Sequence, residues 1–174
     1  MIDIQETLFD EKTIASKVKE LAEQISRDYA DKELLLVSIL KGAFVFTADL
    51  ARRITIPINV DFLIVSSYGM ATESSRKIAI RKDLDIDIRG KHVLLADTIV
   101  DTGETLSALI AMLSERKPAD IKVVTLLDKK SRRTADVEIA YSGFEIPDKF
   151  VVGYGLDCAQ QYRNLPYIAV VKTS

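Results

Sequence analysis

Residues Val93 to Leu106 (Val-Leu-Leu-Ala-Asp-Thr-Ile-Val-Asp-Thr-Gly-Glu-Thr-Leu) constrain the fold most, because an apolar run closes on an acid and then breaks at glycine. Val93, Leu94, Leu95 and Ala96 form the continuous apolar stretch of a strand covered on both faces. Leu106, Leu109, Ile110 and Leu113 then recur at helical spacing. A buried strand that hands directly to a helix belongs to layered α/β folds, where ligands gather at the carboxyl ends of strands. Thr102, Gly103 and Thr105 place small residues and hydroxyls at the junction. There the unpaired helix amides favour a dianion, and glycine lets the backbone come close. Plain helix capping uses the same residue types. Asp97 and Asp101, two carboxylates four residues apart at that strand end, point beyond capping to a ligand. The Gly-x-x-x-x-Gly-Lys-Ser/Thr loop of nucleotide triphosphatases occurs nowhere, and a turn with one glycine does not meet the dinucleotide fingerprint.

The remaining chain alternates strands and helices. Ile14, Val18, Leu21 and Ile25 predict an amphipathic helix over about residues 11 to 30. Strands are expected at Leu34 to Leu40, Val60 to Ser66, Lys77 to Ile80 and Lys122 to Leu127, with a helix from Ala43 to Arg53. Shorter strands are expected at Val137 to Tyr141, Phe150 to Tyr154 and Tyr167 to Val171. This alternation predicts an α/β fold with a parallel sheet and helices on both faces, in one domain of residues 1–174. The polar stretch Gly69 to Arg76 suits a flexible flap, about residues 66–80, as well as an ordinary surface loop.

Composition excludes several function classes. The 24 basic and 26 acidic residues nearly cancel, so no general attraction to nucleic acid is expected. A single cysteine forms no internal disulfide and fits a reducing compartment. No apolar segment approaches membrane-span length, and Met-Ile-Asp-Ile-Gln-Glu lacks the basic start of a secretion signal, so a cytoplasmic protein that does not engage a membrane is expected.

Asp-Thr-Ile-Val-Asp-Thr-Gly-Glu-Thr also resembles the phosphoribosyl-diphosphate (PRPP) binding motif of the type I phosphoribosyltransferases. Leu40-Lys41-Gly42, Ser66-Ser67-Tyr68-Gly69, Leu126-Leu127-Asp128-Lys129 and Phe150-Val-Val-Gly-Tyr-Gly-Leu-Asp157, followed by Tyr162-Arg163-Asn-Leu-Pro, are similar in the same order to segments of the bacterial hypoxanthine-guanine (6-oxopurine) phosphoribosyltransferases. The resemblance spans nearly the whole chain. It implies a central, mostly parallel sheet flanked by helices, with a small hood built from parts of the N- and C-terminal segments. It also implies purine salvage: transfer of the phosphoribosyl group from PRPP to hypoxanthine or guanine, giving IMP or GMP and diphosphate, with Mg2+ as cofactor and a homodimer or homotetramer as the assembly.

Roles follow from the resemblance residue by residue. Asp101 is implied as the general base that takes the purine proton. Thr102, Gly103, Glu104 and Thr105 would cradle the 5'-phosphate, and Asp97 and Thr98 occupy the acidic pair that meets the ribose hydroxyls. Lys41 and Gly42 match a diphosphate-binding loop in which a cis peptide before the lysine is a family feature. Ser67 and Tyr68 match the flap, and Arg163 a diphosphate ligand. Lys129 would donate to the 6-oxo group, Phe150 would stack on the base, and Val151 would read its edge through the backbone. Asp97 and Asp157 are the implied magnesium contacts. His92 has no ligand partner in the sequence and is read as structural.

Two positions depart from the pattern. Thr98 stands where the family usually has aspartate, so a weakened ribose contact is expected and a restored acid should improve PRPP binding. Cys158 stands where an aromatic is common, and a small apolar role suffices for it. These departures raise a competing reading, a regulatory protein that binds PRPP or a nucleotide on the same fold without turnover. A flavodoxin-like phosphoacceptor also carries an acid at a strand end, but leaves Lys129 and the Phe150 to Asp157 segment without a role.

Overall fold

The computed structural model describes residues 3–67 and 78–172. Strand β1 (Ile4–Phe9) leads into helix α1 (Glu11–Asp28), which Asp10 caps by accepting the Thr13 amide at 2.7 Å. Ile14, Val18, Leu21, Ala22 and Ile25 form the buried stripe of α1. Then follow β2 (Leu34–Leu40), α2 (Phe44–Ala51), β3 (Ile58–Ser67), β4 (Ile78–Lys82), β5 (His92–Val100), α3 (Glu104–Ser114) and β6 (Asp120–Asp128). A short 3-10 turn over Lys130–Arg132 precedes β7 (Tyr141–Glu145), β8 (Val151–Val152) and β9 (Ile168–Val171).

The main sheet has the order β4-β3-β2-β5-β6-β7, and its pairings are parallel except for the antiparallel edge strand β4. Successive residues of β2 and β5 feed opposite faces. Leu34, Leu36, Leu94 and Ala96 join one apolar cluster with α1 and α2, whereas Leu35, Val37, Val93 and Leu95 join a second with α3. After β2 the chain crosses through α2 to β3 on one side, and after β5 it crosses through α3 to β6 on the other. The connections therefore diverge between β2 and β5, and a crevice opens at the carboxyl ends of those strands. A second sheet, β1-β9-β8, brings the N- and C-terminal segments together as the small hood.

One expectation is corrected here, and one strand is added. Residues 137–140 are not strand; β7 begins at Tyr141 and pairs in parallel with β6. Strand β1 carries no apolar alternation, and its first four residues are exposed, so it left no signal in the sequence. The ends of the expected flap are regular β structure, because β3 and β4 pair from Ser67↔Ile78 to Ile64↔Lys82. Residues 68–77, between them, lie outside the described residues.

Asp61 anchors the far side of this arm. Its buried carboxylate accepts the amides of Phe62, Asp85 and Ile86 and faces the Lys82 ammonium at 3.4 Å. Burial alone would raise its pKa, but the three amides and Lys82 outweigh that and hold it below the usual carboxylate value. A depressed folded-state pKa contributes stability that is present above the unfolded value, near 4, and is lost as pH falls through the folded value. Asp61→Asn, which offers one good acceptor to several donors, should cost about 1–3 kcal/mol at pH 7. Urea unfolding should show the gap to wild type closing below about pH 4; a gap of constant size across that range would contradict this account.

Candidate active site

The crevice between β2 and β5 gathers most of the residues singled out in the sequence. At the end of β5 the chain turns through Asp101 and Thr102 to Gly103, which has φ +80° and starts α3 with no side-chain cap. A Cβ at Gly103 would come within 2.9 Å of Arg133 Cδ, so both the backbone conformation and the space require glycine. The Glu104 amide leans on Thr102 Oγ1 at 3.4 Å, longer than a good hydrogen bond. The N-cap residue is Gly103, which has no side chain to close over the start of α3, so the turn leaves room for an anion beside the first-turn amides. Asp97, Asp101, Thr102, Gly103 and Thr105 line one cleft of about 190 Å³ beside it. Glu104 is turned aside, its carboxylate accepting the Thr134 hydroxyl at 3.0 Å.

Asp101 and Lys129 meet at the lip of this cleft. Lys129, at the end of β6, is almost fully buried, and its Nζ lies 3.7 Å from Asp101 Oδ2 and 3.4 Å from Asp148 Oδ1. Arg132 closes a ring, with Nε 3.1 Å from Asp101 Oδ1 and Nη1 3.4 Å from Asp148 Oδ2. Two cations and two carboxylates thus alternate, each cation touching both acids. Beneath them Arg133 donates to the Asp101 carbonyl at 3.2 Å, pairs with Asp128 and packs under Gly103. Sequence reasoning missed Arg132, Arg133 and Asp148, although the run Lys-Lys-Ser-Arg-Arg directly after β6 displayed the charge.

On the other wall, the loop after β2 contains a cis peptide between Leu40 and Lys41, as the resemblance implied. Lys41 Nζ and Arg163 Nη2 each lie 3.3 Å from Gln160 Oε1, so the two expected diphosphate cations converge on one oxygen. Gln160 carried no sequence signal. Asp157 has both carboxylate oxygens engaged, by Arg163 at 2.7 Å and by the Gln160 amide at 2.8 Å. Arg163 also donates to the Gly155 carbonyl at 2.7 Å. Phe150 is 43% exposed, unlike a core aromatic, whereas Val151 is buried in β8. Ser67 ends β3; its side chain and all of Tyr68 lie outside the described residues.

The acidic pair is split. Asp97 lines the cleft beside α3, but Thr98 is fully buried and donates its hydroxyl to the Gly42 carbonyl at 3.0 Å. Adjacent strand residues face opposite sides, so the expected ribose contact by Thr98 is replaced by a bond within the scaffold. Desolvation pushes the Asp97 carboxyl up to about 7, against the lowering effect of the Ile99 and Thr98 amides. No side-chain cation neutralises Asp97 among the described residues, and no group of three or more metal-ligating side chains forms there. His92 stands at the opposite end of β5, 3.1 Å from Asp120 and edge-on to Tyr29, in keeping with a structural role.

Comparison with known proteins fits this geometry. Residues 5–159 match the phosphoribosyl transferase domain family. The chain belongs to the phosphoribosyltransferases. It is 49% identical over 170 residues to the hypoxanthine-guanine phosphoribosyltransferase of Bacillus subtilis, covering 98% of this chain and 94% of the relative. It is 48% identical over 168 residues to the hypoxanthine phosphoribosyltransferase of Salmonella typhimurium, covering 95% of this chain and 94% of that one. A crystal structure of a hypoxanthine phosphoribosyltransferase from Staphylococcus aureus superposes with a TM-score of 0.94 at 47% identity, covering 98% of this chain and 92% of that chain. In this phosphoribosyltransferase the type I architecture is therefore present in full: the sheet, the flanking helices and the hood.

Gly103 offers a direct check on the cradle. Gly103→Ala should cost about 1–2 kcal/mol, the left-handed penalty for a residue with a Cβ, before Arg133 has to move. Chemical denaturation of the variant beside wild type measures this, and an unchanged midpoint would count against the strained turn.

Proposed function

We propose that this chain transfers the 5-phosphoribosyl group from PRPP to hypoxanthine, and to guanine, releasing diphosphate. The observation that carries the reading is the placement of Lys129 and Asp101 3.7 Å apart beside the glycine turn that starts α3. A 6-oxopurine presents O6 and N7 along one edge. A lysine donor for O6 and a neighbouring carboxylate acceptor for a proton on N7 match that edge, while adenine offers an amino group where Lys129 needs an acceptor. The amides at Gly103 to Thr105 then suit the 5'-phosphate, which fixes the ribose between the purine and the far wall.

Bond breaking at the anomeric carbon builds positive charge on the ribose and negative charge on the departing diphosphate. Lys41 and Arg163 would exchange Gln160 for diphosphate oxygens. Arg163 would release Asp157 as it moves, freeing that acid for a metal contact. Asp101 would exchange Arg132 for the purine and take its proton as the ring nitrogen attacks. Asp97 is suited to the ribose hydroxyls and to Mg2+: it is desolvated, beside the cradle, and without a cation among the described residues. Magnesium commonly binds through one or two carboxylates together with substrate phosphates, which fits a site without an all-protein cage. When bound, it would neutralise charge on the leaving group. Phe150, exposed at the hood, is suited to stack on the base, and Ser67 and Tyr68 to cover the diphosphate.

Self-association as a dimer or tetramer is part of this reading, supported by Val60 and Phe62, which expose apolar surface two residues apart on β3. No described helix is long and apolar enough to cross a membrane, and the free Cys158 suits the reducing cytoplasm. The regulatory alternative finds nothing in its favour, since base-pocket lysine and carboxylate are kept together.

The test is nucleotide and diphosphate formation from PRPP, magnesium and hypoxanthine. Asp101→Asn should lower kcat by roughly 10²- to 10⁴-fold, the usual contribution of a general base, while calorimetry shows PRPP still bound. PRPP binding by wild type without turnover would leave only a binding protein.

A further inference from the structure

We propose that Thr98 is a positioning residue for the diphosphate side of the site, acting through the carbonyl of Gly42; the inference rests on the phosphoribosyl transfer proposed above. Strands β2 and β5 pair in parallel from Leu34↔His92 to Ser38↔Ala96. Beyond that register the two chains part, one towards Lys41 and Gly42 and the other towards the phosphate cradle. The bond from Thr98 Oγ1 to the Gly42 carbonyl, 3.0 Å long and from a fully buried residue, ties the two walls just past the last backbone pair. A hydroxyl can do this because it has a proton to donate; an ionised carboxylate only accepts.

The carbonyl that Thr98 holds is also a packing surface. Gly155 has φ +97° and lies so close that a Cβ there would collide with the Gly42 oxygen. The carbonyl of Gly155 in turn accepts Arg163 Nη1, and Arg163 shares Gln160 with Lys41. Thr98, Gly42, Gly155 and Arg163 therefore form one continuous path between the central strand and both expected diphosphate cations. Moving the Gly42 carbonyl would disturb Lys41 from its own loop and Arg163 through Gly155. The purine edge is read by Lys129 and Asp101, which directly follow β6 and β5; Asp101 shares its strand with Thr98, but the side chains it meets, Lys129 and Arg132, are not members of this path.

The assignment predicts a division between the two substrates. Thr98→Val keeps the shape and removes the donor, and should raise KM for PRPP by about three- to tenfold, the scale of one buried hydrogen bond. KM for hypoxanthine should stay within about twofold of wild type. Inorganic diphosphate with magnesium, measured by calorimetry, should weaken in parallel with PRPP. Thr98→Ser, which retains the hydroxyl, should restore both. Thr98→Asp, which sets an ionised acceptor against the carbonyl, should raise KM for PRPP as well. An unchanged PRPP KM in Thr98→Val, an equal rise for hypoxanthine, failure of serine to restore binding, or a lower PRPP KM in Thr98→Asp would each overturn the role. A wild-type chain that makes no nucleotide would instead refute the transfer reading itself, so the two failures are distinguishable.

Discussion

The parallel pairing of β2 with β5 is the constraint on which the rest of the structure depends. β2 is buried along nearly its full length and β5 through Val93 to Ala96, and each supplies residues to both faces of the sheet. Because α2 packs on one face and α3 on the other, the chain must leave the sheet in opposite directions at their carboxyl ends. A crevice at that point is a geometric consequence of the topology. The cradle after β5 and the Lys41–Gly42 loop after β2 become its two walls, although 60 residues of sequence separate Lys41 from Asp101.

Electrostatics inside the crevice shows where the fold forgoes local stability for function. Asp97 is held in a desolvated place with no cation beside it among the described residues, an arrangement that favours the protonated acid up to about pH 7. Asp101, by contrast, is balanced by Lys129 and Arg132 in a four-membered ring of charges. Lys41 and Arg163 converge on a neutral amide oxygen, with Arg163 also paired to Asp157. Each of these arrangements is completed by a ligand of opposite character: a cation or hydroxyl donor near Asp97, an anion between Lys41 and Arg163, and a polar ring edge between Asp101 and Lys129. Local compromise concentrated at one strand-end crevice is the pattern expected of an active site.

The legibility of the sequence followed the physical origin of each feature. Strands buried on both faces and the amphipathic α1 were readable because burial dictates composition residue by residue. Gly103 was readable because few residues tolerate its φ. Strand β1 was not, since an exposed edge segment held by β9 needs no apolar alternation. Residues 137–140 misled in the opposite direction, because Val137 and Ile139 pack against the α3-side cluster from an irregular segment rather than from a strand. Arg133 was invisible for another reason: its partners, the Asp101 carbonyl, Asp128 and the space under Gly103, come together only through the pairing of β5 with β6.

Thr98 shows why a departure from a motif has to be read on the folded chain. As a string, Asp97-Thr98 is an acidic pair with one member lost, and loss of charge suggests loss of affinity. On the strand the two residues answer to different neighbours, Asp97 to the cleft beside α3 and Thr98 to the loop after β2. Losing the second charge removes an anion from a fully buried position, where an unpaired carboxylate would be costly. It also supplies a donor for a carbonyl that the parting strands leave beyond their last backbone pair. On the proposed reading the ribose depends on Asp97, and magnesium on Asp97 together with an Asp157 that Arg163 has first to release; one or two such carboxylates suit an ion whose coordination is completed by substrate phosphates. The phosphates of PRPP would then supply the coordination that these two carboxylates lack.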